Sequence, residues 1–342
     1  MLDDLKYIHS RDGDDALGIA EHQCEQLEHD FELPQLSGPF RNVVYAGMGG
    51  SALAGLLSKS WPGYKIPFEV VRDYHIPPYV APDTLFIASS YSGDTEETLS
   101  CLAEAEKANA KIAVITNGGQ LEEQAIAKKY PMAKIPPSQQ PRYAVFYCLR
   151  ALVTMLEKAG LVAEAEADKQ LKLAAEFLRG EVESWAAVVP TSKNPAKQLA
   201  LEIVGKTPII YAGPLLAPVA YKWKIDFNEN AKNTAWWGQY PEVSHNEFIG
   251  WSSHPFDKPF SVIDLRSKLE HQRINQRFEL TERLLSGKRP APNTVEVQGT
   301  TLLEQLVWAA NFGDFVSIYL ALLNGVNPAP VELVEKFKKE LR

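Results

Sequence analysis

Apolar and polar positions along the chain follow two periods, and each switch between them marks an element. Short continuous apolar runs rich in β-branched residues predict buried strands. They are NVVYAG at 42–47, PFEVVRDY at 67–74, TLFIASS at 84–90 and KIAVITN at 111–117. Helical composition predicts helices at SALAGLLSKSW (51–61), DTEETLSCLAEAEKANA (94–110) and LEEQAIAKKY (121–130), after a first helix over 15–30 that PQLSGP breaks. Strands alternating with helices of this length predict an α/β fold, a doubly wound and mainly parallel sheet in an αβα sandwich.

The same order begins again near residue 195. There PAKQLALEIVG leads into PIIYAGPLLAPVAYKWK, and Tyr45-Ala46-Gly47 recurs as Tyr211-Ala212-Gly213, 166 residues later. FSVIDL then takes the place of LFIASS, and TVEVQGTTLLEQLVWAA that of AVITNGGQLEEQAIAKK. This predicts two domains related by internal duplication. The expected boundaries are an N-terminal domain over 1–155, a helical linker over 156–194 and a C-terminal domain over 195–342.

Composition narrows the partners. The 342 residues carry 35 Lys and Arg against 43 Asp and Glu, a formal charge of −8, which argues against a general nucleic-acid binder or an anionic membrane surface. The acidic start lacks a signal-peptide pattern, and no run reads as approaching a membrane span. Cys24, Cys101 and Cys148 are widely spaced, without a CxxC pair, and read as reduced thiols filling buried space. A soluble, cytoplasmic protein is expected.

Two loops in the first half carry candidate chemistry. GMGGS at 47–51 joins a strand to a helix, where glycines let the backbone approach a ligand and unpaired helix N–H groups favour an anion. Its glycine spacing fits neither the dinucleotide nor the Walker fingerprint, and a plain tight turn is the competing reading. SSYSGDTEET at 89–98 then places Ser90, Ser92 and Thr95 at a second helix start, with Gly93 permitting the turn. Three hydroxyls and helix-terminal N–H groups suit a phosphate without a lysine, whereas Asp94 and its neighbours would suffice for simple capping.

The second half has no such equipment. It reads GPLLAP and DLRSKLEHQ where the two loops should recur, and carries instead FNENAKNTAWWGQYPEVSHNEFIGW at 227–251. Glu229 and His245 are residue types that move protons on and off carbon and oxygen. A solvated Glu and a structural His are the bland alternatives. A metal held by His245, Glu247 and Glu229 lacks the HExxH spacing. Trp236, Trp237, Tyr240 and Trp251 read as wall or interface packing.

Together GMGGSALAGLL, ASSYSGDTEET, Arg142 in QPRYAVFY, FNENAKN, SHNEFIGW and YLALLNGVNPAPVELVEKFKKEL resemble the bifunctional phosphoglucose/phosphomannose isomerases, built from two sugar-isomerase (SIS) domains. The resemblance implies interconversion of glucose 6-phosphate and mannose 6-phosphate with fructose 6-phosphate, with no metal or organic cofactor. It implies Gly49, Gly50, Ser51, Ser90, Ser92 and Thr95 as the phosphate site. Arg142 becomes the cation for the enediolate, Glu229 the base between C2 and C1, and His245 the group assisting ring opening. Lys338, or its neighbours Lys336 and Lys339, becomes the tail lysine near the ring oxygen. A homodimer whose subunits share each active site is also implied. A non-catalytic sugar-phosphate sensor and an isomerase of another phosphosugar are the competing readings.

Overall fold

The computed structural model describes residues 1–162, 166–252 and 259–341. Residues 163–165 of the expected linker, and 253–258 and 342 of the expected C-terminal domain, lie outside the described residues. The chain divides into two compact units, one of residues His22–Glu176 and the other of Met1–Glu21 with Phe177–Arg342.

The first unit holds five parallel strands, β1 (Asn42–Ala46), β2 (Phe68–Val71), β3 (Thr84–Ser90), β4 (Lys111–Thr116) and β5 (Met132–Lys134), in the order β2-β1-β3-β4-β5. Strand β3 is buried along its whole length, as a central parallel strand covered on both faces must be. On one face Val44, Ala46, Phe86, Ala88 and Val114 pack with Cys101, Leu102 and Ala105 of helix Glu96–Lys107. Tyr45 points to the other face, where its hydroxyl donates to the Ser51 carbonyl of helix Gly49–Ser60 at 2.7 Å. Gly55 leaves room for that ring, since a Cβ there would lie 2.7 Å from it.

The second unit repeats the plan with four parallel strands, β6 (Thr207–Ala212), β7 (Trp236–Gln239), β8 (Phe260–Arg266) and β9 (Asn293–Glu296), in the order β7-β6-β8-β9. That order matches β2-β1-β3-β4 strand for strand, so the two α/β sheets share one topology. The Tyr-Ala-Gly triplet that suggested the duplication is nevertheless out of phase. Tyr211 packs with Ile209, Val262 and the Ile274 and Phe278 side chains of helix Gln272–Leu284, the helix after the third strand of its sheet. In the first unit Val44 and Ala46 take that face, and Tyr45 takes the opposite one. A strand has a side-chain period of two, so identical letters in shifted register point to opposite sides.

The units depart from the expected domain boundaries. The leading segment belongs with the C-terminal half, because Asp3 accepts from the Thr191 backbone and hydroxyl, each at 2.8 Å, and lies 3.3 Å from Lys197 Nζ. Tyr7 donates to the Leu322 carbonyl at 2.7 Å, and Asn311 to that of Ala20 at 3.0 Å. The expected linker is divided in turn. Helix Val145–Lys158 lies inside the first unit, where buried Arg150 binds the His29 carbonyl at 2.9 Å and pairs with Asp30 and Asp168. Helix Ala167–Val182 runs across the limit between the units.

One sequence expectation needs correction. Helix Leu302–Leu323 is long and apolar enough to cross a membrane by length and composition, yet 94% of its most apolar window is buried inside the protein. It is a core helix, and it carries buried Asp314 and Asn311 for partners within its own unit. Cys24, Cys101 and Cys148 are buried and unbridged, and burial pushes the Cys101 and Cys148 thiols up to about 11 and about 12.

Candidate functional site

In the first unit the glycine loop and the hydroxyl loop meet at the carboxyl ends of β1 and β3. Gly49, at φ +49°, opens helix Gly49–Ser60, and a Cβ on it would meet nothing within 4 Å. Gly50 lies against the chain at Pro141 and Arg142, where a Cβ would come within 3.0 Å of the Arg142 amide nitrogen. Ser51 Oγ accepts from the Tyr91 N–H at 3.0 Å, which ties the first loop to the second. These contacts bring Gly49, Gly50, Ser51 and Arg142 alongside the hydroxyl loop.

Within that loop Ser90 Oγ and Thr95 Oγ1 are 2.8 Å apart, and the Gly93 N–H donates to Ser90 Oγ at 3.0 Å. The Asp94 N–H donates to Ser92 Oγ at 3.3 Å. Gly93 has φ +75°, and a Cβ there would overlap the Gly118 carbonyl oxygen at 1.7 Å, so both conformation and space demand glycine. No side chain caps the N-cap of helix Glu96–Lys107 among the described residues: Thr95 turns to Ser90, and Asp94 accepts instead from the Gln120 backbone and side chain. The first turn thus keeps donors facing a hydroxyl-lined loop, and Glu96 and Glu97 stand in it as well.

Arg142 sits in the short 3₁₀ turn Pro141–Ala144 and is buried. Its Nη2 lies 3.5 Å from the Tyr143 hydroxyl, and its guanidinium stands 4.7 Å from the centre of that ring.

In the second unit, helix Ala217–Glu229 ends on half-buried Glu229. A buried ion triad fastens this helix: Lys222 Nζ lies 2.8 Å from Asp226 and 2.6 Å from Asp314 of helix Leu302–Leu323. Burial alone would depress the Lys222 ammonium, but the two carboxylates outweigh it and raise it. The Asn230 amide donates to Ser317 Oγ at 2.8 Å, and Asn228 caps back to the Lys224 carbonyl at 2.7 Å. Lys232, at φ +51°, directs its ammonium to the carbonyls of Glu229, Asn230, Asn327 and Pro328.

His245 closes the exposed turn Glu242–His245, and among the described residues no hydrogen bond or ion pair joins it to Glu229 or Lys338. Its neighbour Asn246 caps helix Glu247–Gly250, and Glu247 accepts from the Tyr211 hydroxyl at 2.9 Å. Lys338 lies exposed on helix Glu332–Leu341, with Lys339 beside it and Lys336 3.7 Å from Glu340. Of the four aromatics expected as packing, Tyr240 and Trp251 are buried, whereas Trp236 and Trp237 are exposed because β7 is the edge of its sheet. No group of three or more His, Cys, Asp or Glu is placed to hold a metal among the described residues.

Two polar features were not read from the sequence. Glu270, buried, sends Oε1 to the Leu215 N–H at 2.7 Å, and so occupies the start of helix Ala217–Glu229 that parallels the glycine loop. Burial raises its carboxyl, against the backbone hydrogen bonds that favour the charge. On β8, Asp264 is pushed up to about 7 by burial, which outweighs Arg289 and Arg266. Its carboxylate pattern in the sequence, one Asp amid VIDL, gave no sign of a special environment.

Comparison with known proteins places the chain. The family model described as the bacterial phospho-glucose isomerase C-terminal SIS domain matches residues 192–341. A bifunctional phosphoglucose/phosphomannose isomerase of Caldicellulosiruptor bescii is 36% identical over 304 residues, covering 87% of this chain and 89% of the relative. A D-glucosamine-6-phosphate 4-epimerase of Sulfolobus acidocaldarius is 31% identical over 67% of this chain and 70% of its own. In fold, the chain matches a glucose-6-phosphate isomerase like protein from Thermus thermophilus with TM-score 0.69 at 21% identity, covering 99% of this chain and 98% of that one.

Proposed function

Because the chain belongs to the bifunctional phosphoglucose/phosphomannose isomerase family, we propose that it interconverts glucose 6-phosphate and mannose 6-phosphate with fructose 6-phosphate through an enediol. The phosphate is held by the N–H groups at the helix starts after Met48 and Thr95, with Ser51, Ser90, Ser92 and Thr95 as hydroxyl donors. His245 assists ring opening. Glu229 then takes the proton from C2 and returns it to C1, while Arg142 and Lys338 are the cations for the developing oxyanion and the ring oxygen. Both C2 epimers reach one enediol when the C2–C3 bond turns, so a single base serves both aldoses. The working form in this reading is a cytoplasmic homodimer.

The observation that carries the phosphate assignment is the helix start at Thr95. Its hydroxyl is turned into the loop toward Ser90 rather than onto its own helix, which leaves the first turn for an anion. A coupled assay for fructose 6-phosphate tests the activity with each aldose. In it, Glu229→Gln should lower turnover by about 10²-fold while phosphosugar binding persists. Near-normal turnover in that variant removes Glu229 from the mechanism. The Sulfolobus relative favours a second reading, action on another hexose phosphate. Failure to form fructose 6-phosphate from either aldose, with phosphosugar binding intact, would select it.

A further inference from the structure

We propose that Lys232 is a positioning residue that holds the catalytic helix end at Glu229 and the root of the C-terminal helix in one fixed arrangement. The proposal rests on the reading of Glu229 as the base. Two segments far apart in sequence converge on one ammonium. Lys232 Nζ lies 2.9 Å from the Glu229 carbonyl and 3.4 Å from that of Asn230, at the end of helix Ala217–Glu229. It also lies 2.7 Å from the Asn327 carbonyl and 3.0 Å from that of Pro328, just before helix Glu332–Leu341 with Lys336, Lys338 and Lys339.

An ammonium has three donors and no acceptor, so four converging carbonyls use it fully, and a cation at a helix C-terminus also meets the negative end of the dipole. The backbone supplies a separate argument. Lys232 stands at φ +51°, a left-handed conformation that favours glycine and strains a residue bearing a side chain. Lys129 adopts the same left-handed conformation at φ +57° as a plain helix C-cap, so at residue 232 it is the four carbonyls that distinguish the lysine.

The rest of the helix is already anchored. Lys222 pairs with Asp226 and Asp314, and Asn230 donates to Ser317, so the helix body is fixed to helix Leu302–Leu323. Lys232 adds what those bonds do not, a link to the 327–328 segment. A neighbouring bond works in the same direction, since the Asn324 amide donates to the Ala231 carbonyl at 3.0 Å. Proton transfer between adjacent carbons is sensitive to displacements of about 1 Å, which cost up to about 10²-fold in rate.

The test compares Lys232→Gly, Lys232→Arg, Glu229→Gln and the Lys232→Gly/Glu229→Gln double variant in the full chain, by steady-state kinetics on glucose 6-phosphate and by melting temperature. Glycine relieves the backbone strain, so a purely conformational role predicts an unchanged or more stable and fully active protein. Positioning predicts that Lys232→Gly lowers kcat by about tenfold or more with KM within about twofold. It also predicts partial recovery in Lys232→Arg, and no further loss when glycine is added to Glu229→Gln. A Lys232→Gly enzyme with normal kcat, or one that changes KM alone, overturns the proposal while leaving Glu229 in place. An active Glu229→Gln enzyme overturns the reading of the base, and this proposal with it. If Lys232→Gly melts too low to assay, failure of Lys232→Arg to retain turnover above that of Glu229→Gln in a folded protein overturns it.

Discussion

Each sheet has a helix that starts just after its first strand, and the two starts have diverged in what they hold. In the first unit Gly49 is open, Gly50 lies against Arg142, and the neighbouring loop presents Ser90, Ser92 and Thr95. In the second, the equivalent turn at Gly213 is filled by the protein's own carboxylate. Glu270 accepts from Leu215, and a Cβ on Gly213 would lie 2.3 Å from Glu270 Oε1. Both turns therefore offer N–H groups to an anion, and one unit satisfies them internally. A chain with net charge −8 needs no broad basic surface to bind a phosphate when a local turn supplies the donors.

The comparison breaks most severely at Gly93. Gly93→Ala forces a Cβ into the Gly118 carbonyl at a left-handed φ, and should destabilise the protein by more than about 3 kcal/mol in denaturant unfolding. An unchanged midpoint would show that the hydroxyl loop does not need its present path. A smaller effect is expected from emptying the second turn. Glu270→Ala leaves the Leu215 N–H without its acceptor and should cost about 1–3 kcal/mol, with acetate restoring part of the lost melting temperature. No response to acetate would mean that Glu270 packs the turn without acting as its anion. Smallest is the joint change Ser90→Ala with Thr95→Ala, which should raise KM for phosphosugars about tenfold through lost hydrogen bonds to the phosphate. If KM holds, the 2.8 Å contact between those hydroxyls is a structural bond only.

What could be read in the chain followed from patterns that are local. The apolar runs at 84–90 and 111–116 located strands because a buried parallel strand needs nothing but itself to show its period. The hydroxyl loop was visible as a cluster of residue types. The distribution of residues into units was not, because the bonds of Asp3 to Thr191 and Tyr7 to Leu322 join positions that share no local pattern. Nor was Glu270, the one acidic residue in LRSKLEHQ, whose role depends on a turn 55 residues earlier. The Tyr-Ala-Gly repeat shows the opposite failure. It pointed to a true duplication through letters whose side chains face opposite ways, since strand register is set by packing against the covering helix. Helix Leu302–Leu323 was not recognised as span-length and apolar, and its buried Asp314 is matched by Lys222 from a helix about 90 residues earlier, which no local pattern shows.

The placement of residues 1–21 in the second unit has a consequence in time. On a ribosome adding about 5–20 residues per second, Tyr7 emerges roughly 15–60 s before Leu322, whose carbonyl it binds. During that interval the segment His22–Glu176 has all of its own strands and can close as a unit. The leading segment waits, with Ile8, Ala16, Leu17 and Ala20 still lacking the surroundings that bury them in the finished fold. Synthesis thus completes His22–Glu176 first, and residues 1–21, made before that unit, find their place after it.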